Sequence, residues 1–238
     1  MSLESSTSLE LATYADIDQT LLQGYIIFPL MQTLAEDRVI SPQQNQAFQY
    51  ALERFESGAI DYGAFVIETM SAFCHAIRDK RDADIKDALD EHIKEIVFYP
   101  WVLPTFDDAR SMGTLTIVTA EPGVIARAVA DLFDAEYMAS EFPKDANGRY
   151  TGGPFTALGS AQKQQKVAAS IDLVQPTHIA VFGDSIGDAG MLELAQPLNL
   201  AHCITPDAEL RAIAEKTGMT IIEDPFVSAS LLRIKDRA

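Results

Sequence analysis

The stretch YADIDQTL, residues 14–21, sets two aspartates, Asp16 and Asp18, directly behind the apolar run LELATYA. The run predicts a first strand over residues 11–16, so carboxylates appear where a buried strand ends. Neither aspartate has a basic residue near it in the sequence. Two like charges in this position predict a partner that offsets their repulsion, either from elsewhere in the fold or from solution.

The composition is that of a folded protein and argues against several partners. Of the 238 residues, 47% are hydrophobic, enough for one large core or for a core with a smaller inserted module. Asp and Glu number 35 against 18 Lys and Arg, and this acidity argues against binding to nucleic acid or to an anionic membrane surface. The sequence shows neither a signal-peptide pattern nor an apolar run of spanning length. We expect a cytoplasmic monomer or homodimer that acts on a small molecule.

A helical pattern replaces the strand pattern from about residue 23 to residue 103. The first predicted helix opens with Ser41 as its N-cap and Pro42 in its first position. Two further amphipathic helices are predicted over residues 61–79 and 82–99. The whole block is therefore predicted to be a single all-helical insertion after the first strand.

Strands and helices alternate after Pro104. Strands are predicted over 114–120, 135–142, 177–185, 198–204 and 219–224, and helices over 122–133, 161–174, 187–195 and 206–218. Alternation of this kind implies an α/β fold, in which helices cover both faces of a parallel sheet.

Polar side chains stand at three strand ends of this predicted sheet. Asp16 and Asp18 end the first strand, Thr119 the second, and Asp184 the strand over 177–185, with Asp188 a turn later. Ligands of open parallel sheets bind beyond the carboxyl ends of the strands. Carboxylates gathered there raise one another's pKa unless a cation is present, and hard oxygen ligands suit Mg²⁺. The sequence therefore predicts a magnesium site.

These side-chain types suit the transfer of a phosphoryl group. A carboxylate beside Mg²⁺ can attack phosphorus, and Asp16 is the candidate nucleophile. Asp18, two residues on, could protonate the leaving oxygen and then activate the water that opens the aspartyl-phosphate. The equatorial oxygens of the phosphoryl group need donors, which Thr119 and a lysine, Lys163 or Lys166, could provide.

Four motifs, in this order across nearly the whole chain, resemble those of the haloacid dehalogenase superfamily: DIDQTL, IVTAEP, a lysine in SAQKQQKV, and FGDSIGD. The helical insertion after the first motif, with NGRYTG before the lysine, resembles the phosphoserine-phosphatase-like subgroup with a helical cap. The resemblance implies a Rossmann-like core made of residues 1–22 and 104–238, and a cap made of residues 23–103. It also implies an Mg²⁺-dependent mechanism through an aspartyl-phosphate.

The same resemblance implies a role for each motif residue. Asp16 would be nucleophile and metal ligand, and Asp18 acid and base, with its backbone carbonyl on the metal. Asp184 would be a metal ligand, and Asp188 would support the metal shell or the lysine. The implied phosphate ligands are Thr119, Ala120 and Lys163.

Lys163 is preferred over Lys166 as the motif lysine. Val167 and Ile171 follow Lys163 at helical spacing and place a core face behind it. Its separation from Asp184 also resembles the spacing in the family. Lys166 remains the alternative.

Several positions depart from the phosphoserine phosphatase pattern. Tyr25 and Thr69 stand where that group carries a substrate-binding Glu and Arg, and a carboxylate clamp is difficult to build without arginine. Glu121 and Gly187 stand where Gly and Asn are usual. Gln19 stands where Gly is common. L-phosphoserine is therefore not favoured as the substrate, although the phosphatase chemistry is expected to persist.

We predict an Mg²⁺-dependent phosphatase that hydrolyses a small-metabolite phosphomonoester through an aspartyl-phosphate. Two alternatives on the same fold are phosphotransfer to another alcohol and a non-hydrolytic, phosphate-binding regulatory protein. Dehalogenation is disfavoured because Asp18 supplies an acid that carbon-halogen cleavage does not need. We expect Tyr62 and Phe65 to belong to the core of the helical block, and Thr20 to hydrogen-bond the loop that aims Asp16.

Overall fold

Six strands form one parallel sheet in the computed structural model, which describes residues 11–195 and 200–232. The strands are β1 (Leu11–Ala15), β2 (Gly113–Pro122), β3 (Glu136–Ser140), β4 (His178–Gly183), β5 (Ala201–Ile204) and β6 (Thr220–Ile222). They lie in the order β3-β2-β1-β4-β5-β6, and each neighbouring pair is parallel. This confirms the predicted α/β, Rossmann-like fold. The first ten residues and the start of the strand predicted over 198–204 lie outside the described residues.

Helices cover both faces of this sheet. They are α1 (Ile27–Glu36), α2 (Pro42–Glu56), α3 (Tyr62–Ala76), α4 (Asp82–Glu95), α5 (Val102–Met112), α6 (Gly123–Leu132), α7 (Ser160–Val174), α8 (Ala189–Leu194) and α9 (Ala208–Thr217). Helices α5 and α6 pack on one face together with the α1–α4 region, whereas α7, α8 and α9 pack on the other. No helix in the described ranges combines the length and the apolar character needed to cross a bilayer.

Strand β1 lies between β2 and β4, and it is buried on both of its faces because helices cover both sides of the sheet. Leu11 and Ala15 belong to one buried cluster, while Ala12 and Tyr14 belong to the other. A central strand of a parallel sheet is expected to be apolar throughout for this reason. The aspartates that follow β1 are consequently held at the middle of the sheet's carboxyl edge.

Helices α1–α4 lie between β1 and β2 in the chain. The Ser41 side chain accepts a hydrogen bond from the backbone N–H of Gln44, and Pro42 is the first residue of α2, as the cap pattern predicts. The chain leaves and re-enters this region at adjacent points, because Leu22 forms an antiparallel bridge with Phe98. The exact division into core and cap stays a prediction.

Two helices, α1 and α5, were not predicted individually. Each contains a proline, Pro29 or Pro104, as its third residue. A proline in the first helical turn removes an N–H that has no partner within the helix, so it does not end the helix there. Helix α5 therefore begins at Val102, within the segment PWVLP (residues 100–104) that bounds the predicted helical block.

Candidate active site

The carboxyl ends of β1 and β4 meet at the point where the strand order reverses. The backbone N–H of Asp16 donates to the carbonyl oxygen of Phe182 in β4 at 3.1 Å, which continues the hydrogen bonding between the strands past Ala15. Asp184 follows β4 directly. In sheets of this topology the crevice beyond such a reversal is the usual place for a ligand.

Lys163, in the first turn of α7, is the basic residue that reaches these acids. Its Nζ lies 2.9 Å from Oδ1 of Asp16 and 2.7 Å from Oδ1 of Asp188, and its side chain is 1% exposed. Burial lowers the pKa of Lys163, but the two carboxylates outweigh it and raise that pKa well above its usual range. Lys166 instead lies on the surface, 3.2 Å from Glu141. The structure thus brings Lys163, and not Lys166, to the aspartates.

Asp188 uses both of its carboxylate oxygens within the protein. Oδ1 accepts from Lys163, while Oδ2 accepts from the backbone N–H groups of Asp184 at 3.1 Å and Ser185 at 3.3 Å. A Cβ at Gly183 would lie 2.5 Å from Cβ of Asp188, so glycine is required there for this close approach. Asp188 therefore ties the loop after β4 to the lysine.

The loop after β1 is tied to the loop after β4 through Thr20. Its hydroxyl donates to Oδ1 of Asp184 at 2.8 Å, so its side chain holds the second acidic loop and not its own, contrary to expectation. Gln19 has a left-handed φ of 58°, a conformation that favours glycine. Its side chain and its backbone N–H both bond to Gly24 at 3.1 Å, which offsets the strain.

The acidic residues lie close enough together to hold a divalent cation. Asp16, Asp184 and Asp188 each offer an oxygen, and these oxygens lie within 4.8 Å of one another. Burial raises the pKa of Asp16 to about 7 and the pKa of Asp184 well above its usual range, although Lys163 opposes both shifts. A bound cation would favour the ionised carboxylates, so these residues fit Mg²⁺.

Asp18 and Glu121 form a pair of carboxyl groups at the start of α1. Asp18 accepts from the backbone N–H of Ile26 at 3.0 Å, and Glu121 accepts from that of Ile27 at 3.3 Å. The two carboxyl groups also hydrogen-bond each other, which requires a shared proton. Burial raises the pKa of Asp18 to about 6 and that of Glu121 well above its usual range. Both shifts favour the protonated form, so the pair tends to hold a proton between its two carboxyl groups.

Glu121 was not predicted as a site residue. It is 3% exposed and follows the apolar strand segment TLTIVTA. In the sequence, Glu121 directly follows the strand predicted over 114–120, which is the same signal that marks Asp16 and could have identified Glu121 as well, although the observed β2 extends to Pro122.

Thr119 and Ala120 line the same cavity as Asp16, at the carboxyl edge of the sheet. The Thr119 oxygen accepts from the backbone N–H of Glu121 at 3.1 Å, which leaves the hydroxyl hydrogen free to donate. The carbonyl oxygen of Ala120 accepts from the Ser140 hydroxyl at 2.6 Å. Thr119 can thus present a donor toward the acids.

A cavity of about 160 Å³ opens above these residues. Its floor includes the four acids Asp16, Asp18, Glu121 and Asp184, and its opposite wall comes from the α1–α3 region. That wall consists of aromatic rings together with aliphatic side chains and Thr69. Four of the positions that depart from the phosphoserine phosphatase pattern line this cavity: Gln19, Tyr25, Thr69 and Glu121.

Tyr62 lies over Gly187 at the edge of the cavity. A Cβ at Gly187 would lie 2.4 Å from the Tyr62 ring, so the absence of a side chain there lets α3 approach the loop after β4. Burial raises the pKa of the Tyr62 hydroxyl, and the nearby aspartates add to the shift. Tyr62 packs against the apolar core as expected, but it also lines the cavity.

Replacing Gly187 with alanine is expected to push α3 away from the sheet. The new methyl group would collide with the Tyr62 ring, and overpacking of this kind destabilises by about 1–3 kcal/mol. Denaturant unfolding of Gly187→Ala measures the loss. In a Tyr62→Ala background the same substitution should cost much less, and an equal loss in both backgrounds would contradict the contact.

One protein family matches this chain, and solved structures share the fold described above. The haloacid dehalogenase-like hydrolase family matches residues 14–193, a range that includes Asp16, Asp18, Thr119, Lys163, Asp184 and Asp188. A comparison with proteins of curated function finds no match.

Solved structures share the fold at low sequence identity. A protein of unknown function from Bordetella pertussis Tohama I has a TM-score of 0.71 at 19% identity, over 91% of this chain and 99% of its own. A haloacid dehalogenase family hydrolase from Salmonella enterica subsp. enterica serovar Typhi has a TM-score of 0.65 at 15% identity. The match covers 91% of this chain and 67% of the Salmonella chain. A phosphoserine phosphatase solved as a phospho-aspartyl intermediate analogue has a TM-score of 0.64 at 13% identity. The match covers 92% of this chain and 95% of the phosphatase chain.

Proposed function

This chain belongs to the haloacid dehalogenase-like hydrolase family, and from that premise we propose that it is an Mg²⁺-dependent phosphatase of a small-metabolite phosphomonoester. The observation that carries the proposal is the buried Lys163, which contacts Asp16 at 2.9 Å beneath a cavity lined by Asp18 and Thr119. The proposed nucleophile, proton carrier and two phosphate-binding donors are Asp16, Asp18, Thr119 and Lys163. These are the groups that phosphoryl transfer through a protein carboxylate needs.

We propose that Asp16 and Asp184, with the backbone carbonyl of Asp18, hold the metal. Asp188 is better suited to support, because both of its oxygens already accept hydrogen bonds. When bound, Mg²⁺ would offset the negative charge of the acids and of the incoming phosphate.

In the proposed reaction an Asp16 oxygen bonds to phosphorus as the bond from phosphorus to the leaving oxygen breaks. Asp18 gives its proton to that leaving oxygen, and the proton is available because Asp18 shares one with Glu121. A water molecule then attacks the phosphorus of the aspartyl-phosphate while Asp18 takes the water's proton. Inorganic phosphate leaves, and Asp16 returns to its carboxylate form.

We propose that residues 23–103 act as a cap over a core formed by residues 1–22 and 104–238. The support is that one wall of the cavity comes from the α1–α3 region and the other from strand ends. Tyr62 also stands between this cavity and a wider groove, since it lines both. A cap in this position would exclude water and select the leaving group.

The first test is the hydrolysis of p-nitrophenyl phosphate with and without Mg²⁺. We expect turnover that EDTA removes and Mg²⁺ restores, with no phosphorylated product when other alcohols are added.

Mg²⁺ should also raise the thermal midpoint, because a ligand at 100 times its Kd stabilises by about 2.7 kcal/mol. Asp184→Asn should remove that thermal shift. Binding of the ester without turnover would instead favour a regulatory protein.

Asp18→Asn is expected to separate the two chemical steps. Nitrophenolate leaves without a proton, so the first step should persist, whereas the water attack loses its base and slows by about 10²–10⁴-fold. Rapid mixing with p-nitrophenyl phosphate should then show a burst of nitrophenolate equal to the enzyme, followed by slow release. A wild-type steady-state rate would exclude Asp18 as the proton carrier.

A further inference from the structure

Ser140, the last residue of β3, is a buried serine that was not predicted as a site residue. It is 0% exposed and does not itself line the cavity. Its hydroxyl donates to the carbonyl oxygen of Ala120 at 2.6 Å, and its oxygen accepts from the backbone N–H of Leu158 at 2.9 Å. A carbonyl oxygen can only accept and an N–H can only donate, so the two partners fix the direction of both hydrogen bonds.

The part of β2 that Ser140 contacts is a bulge. Between Val118 and Pro122 the pairing with β3 shifts, so that residues 119–121 are matched by the single residue Ala139. Extra residues of this kind interrupt the ladder and re-aim side chains, often beside active sites. Backbone groups in a bulge need partners outside the regular ladder, and the Ser140 hydroxyl supplies one.

A single peptide unit carries the effect of this contact to Thr119. The carbonyl of Ala120 and the N–H of Glu121 belong to the same planar unit, so fixing the first fixes the direction of the second. That N–H donates to Oγ1 of Thr119 at 3.1 Å. Thr119 is 1% exposed and lines the cavity, and its hydroxyl hydrogen is left to donate to a ligand. A directed chain of hydrogen bonds thus runs from Ser140 to the Thr119 hydroxyl.

Ser140 is itself held in place. Glu141 and Thr156 exchange two backbone hydrogen bonds, at 3.0 and 3.1 Å, and this bridge returns the chain to β3 just before Leu158. The N–H of Leu158 then occupies the Ser140 oxygen, and the hydrogen of the hydroxyl is directed at Ala120. A group that positions a substrate ligand needs this kind of support, because its own orientation must be locked.

We infer that Ser140 is a positioning residue, which aims the Thr119 hydroxyl at a phosphoryl oxygen of the substrate. The inference rests on the proposed phosphatase function and adds a residue that does not touch the substrate. Hydrogen bonds that run in one direction polarise one another, so the Ser140 hydroxyl also makes Thr119 a stronger donor. A donor held in place beforehand stabilises the charge that develops in the transition state without reorganisation.

Ser140→Ala in two backgrounds tests the inference, with kcat/KM for p-nitrophenyl phosphate as the measurement. Thr119→Val removes the donor hydroxyl at nearly constant shape and should lower kcat/KM by about 10²–10³-fold. Ser140→Ala should lower kcat/KM about tenfold in the wild type, because the Thr119 hydroxyl is no longer held in its direction. In the Thr119→Val background the same change should cost less than about twofold, since no hydroxyl is left to aim.

A serine with a purely structural role would give a different pattern. An equal loss of kcat/KM in both backgrounds would overturn the inference, because Ser140 would then act independently of Thr119. An undiminished kcat/KM in Ser140→Ala alone would overturn it as well. The matched control is Ser170→Ala, since Ser170 accepts from the Tyr14 hydroxyl at 3.0 Å and does not line the cavity. This variant loses a hydrogen bond outside the chain and should keep kcat/KM near the wild type.

Ser140→Cys keeps the test decisive if the alanine variant folds poorly, which circular dichroism and the thermal midpoint show. A thiol is close to a hydroxyl in size but is a weaker donor, so the loss of kcat/KM should be smaller than in Ser140→Ala. It should again disappear in the Thr119→Val background. A loss in Ser140→Cys that persists in that background would overturn the inference.

Failure of the inference stays distinct from failure of the proposed function. If the wild type hydrolyses the ester and the losses from Ser140→Ala and Thr119→Val simply multiply, only the role of Ser140 is wrong. If Thr119→Val hydrolyses as fast as the wild type, Thr119 is not a phosphate ligand and the inference fails, while the phosphatase proposal stands. If the wild type does not hydrolyse the ester, both fail.

Discussion

Asp16→Asn is expected to lower kcat by at least about 10⁴-fold, because an amide cannot form the phosphoryl ester on which both proposed chemical steps depend. Removing one negative charge from this buried cluster should not unfold the protein, since Lys163 keeps its 2.7 Å contact with Asp188. Steady-state hydrolysis of p-nitrophenyl phosphate with Mg²⁺ measures the loss. Circular dichroism and the thermal midpoint check that the variant is folded.

Asp172→Asn is the matched control for this substitution, because Asp172 is an exposed aspartate on α7. It should retain wild-type turnover. If folded Asp16→Asn stayed within about tenfold of the wild type, Asp16 would not be the nucleophile, and a water-attack mechanism would have to replace the covalent one.

Lys163→Ala is expected to cost both activity and stability. The lysine is buried against Asp16 and Asp188, and its removal leaves two buried carboxylates without their counter-charge. Breaking a buried ion pair from one side destabilises by about 3–5 kcal/mol, and losing a donor to the phosphoryl group lowers kcat by about 10²–10³-fold. Denaturant unfolding and p-nitrophenyl phosphate hydrolysis measure the two effects separately.

Lys166→Ala is the control, because Lys166 lies on the same helix but pairs on the surface with Glu141. An exposed pair of this kind contributes about 0–1 kcal/mol, so stability and turnover should stay near the wild type. Lys163→Met, which keeps the volume of the side chain, tests charge without creating a cavity. An inactive Lys166→Ala beside an active Lys163→Ala would reverse the assignment.

The sheet and the acids at its edge follow from local sequence. Alternating apolar strands and amphipathic helices predict the α/β fold, and acids directly behind strands mark Asp16 and Asp184 without any knowledge of contacts. Val167 and Ile171, at helical spacing from Lys163, predict the buried side of α7. The structure indeed buries both Lys163 and Val167.

Other features depend on contacts between distant residues and could not be read locally. Asp18 and Glu121 meet across about a hundred residues of sequence, and their pKa values are raised chiefly because both carboxyl groups are buried at the start of α1. The place of Tyr62 depends on the missing side chain of Gly187, which lies on another element. Helices α1 and α5 were missed because Pro29 and Pro104 resemble helix breakers unless the helix start is known.

Acid quenching during turnover can trap the proposed covalent intermediate on Asp16. Enzyme mixed with Mg²⁺ and a phosphate ester is quenched within the first turnovers, digested and analysed by peptide mass spectrometry. We predict one phosphoryl group on the peptide that carries Asp16, a larger amount in Asp18→Asn, and none in Asp16→Asn. Full hydrolytic activity with no phosphorylated Asp16 peptide, even in Asp18→Asn, would contradict the account.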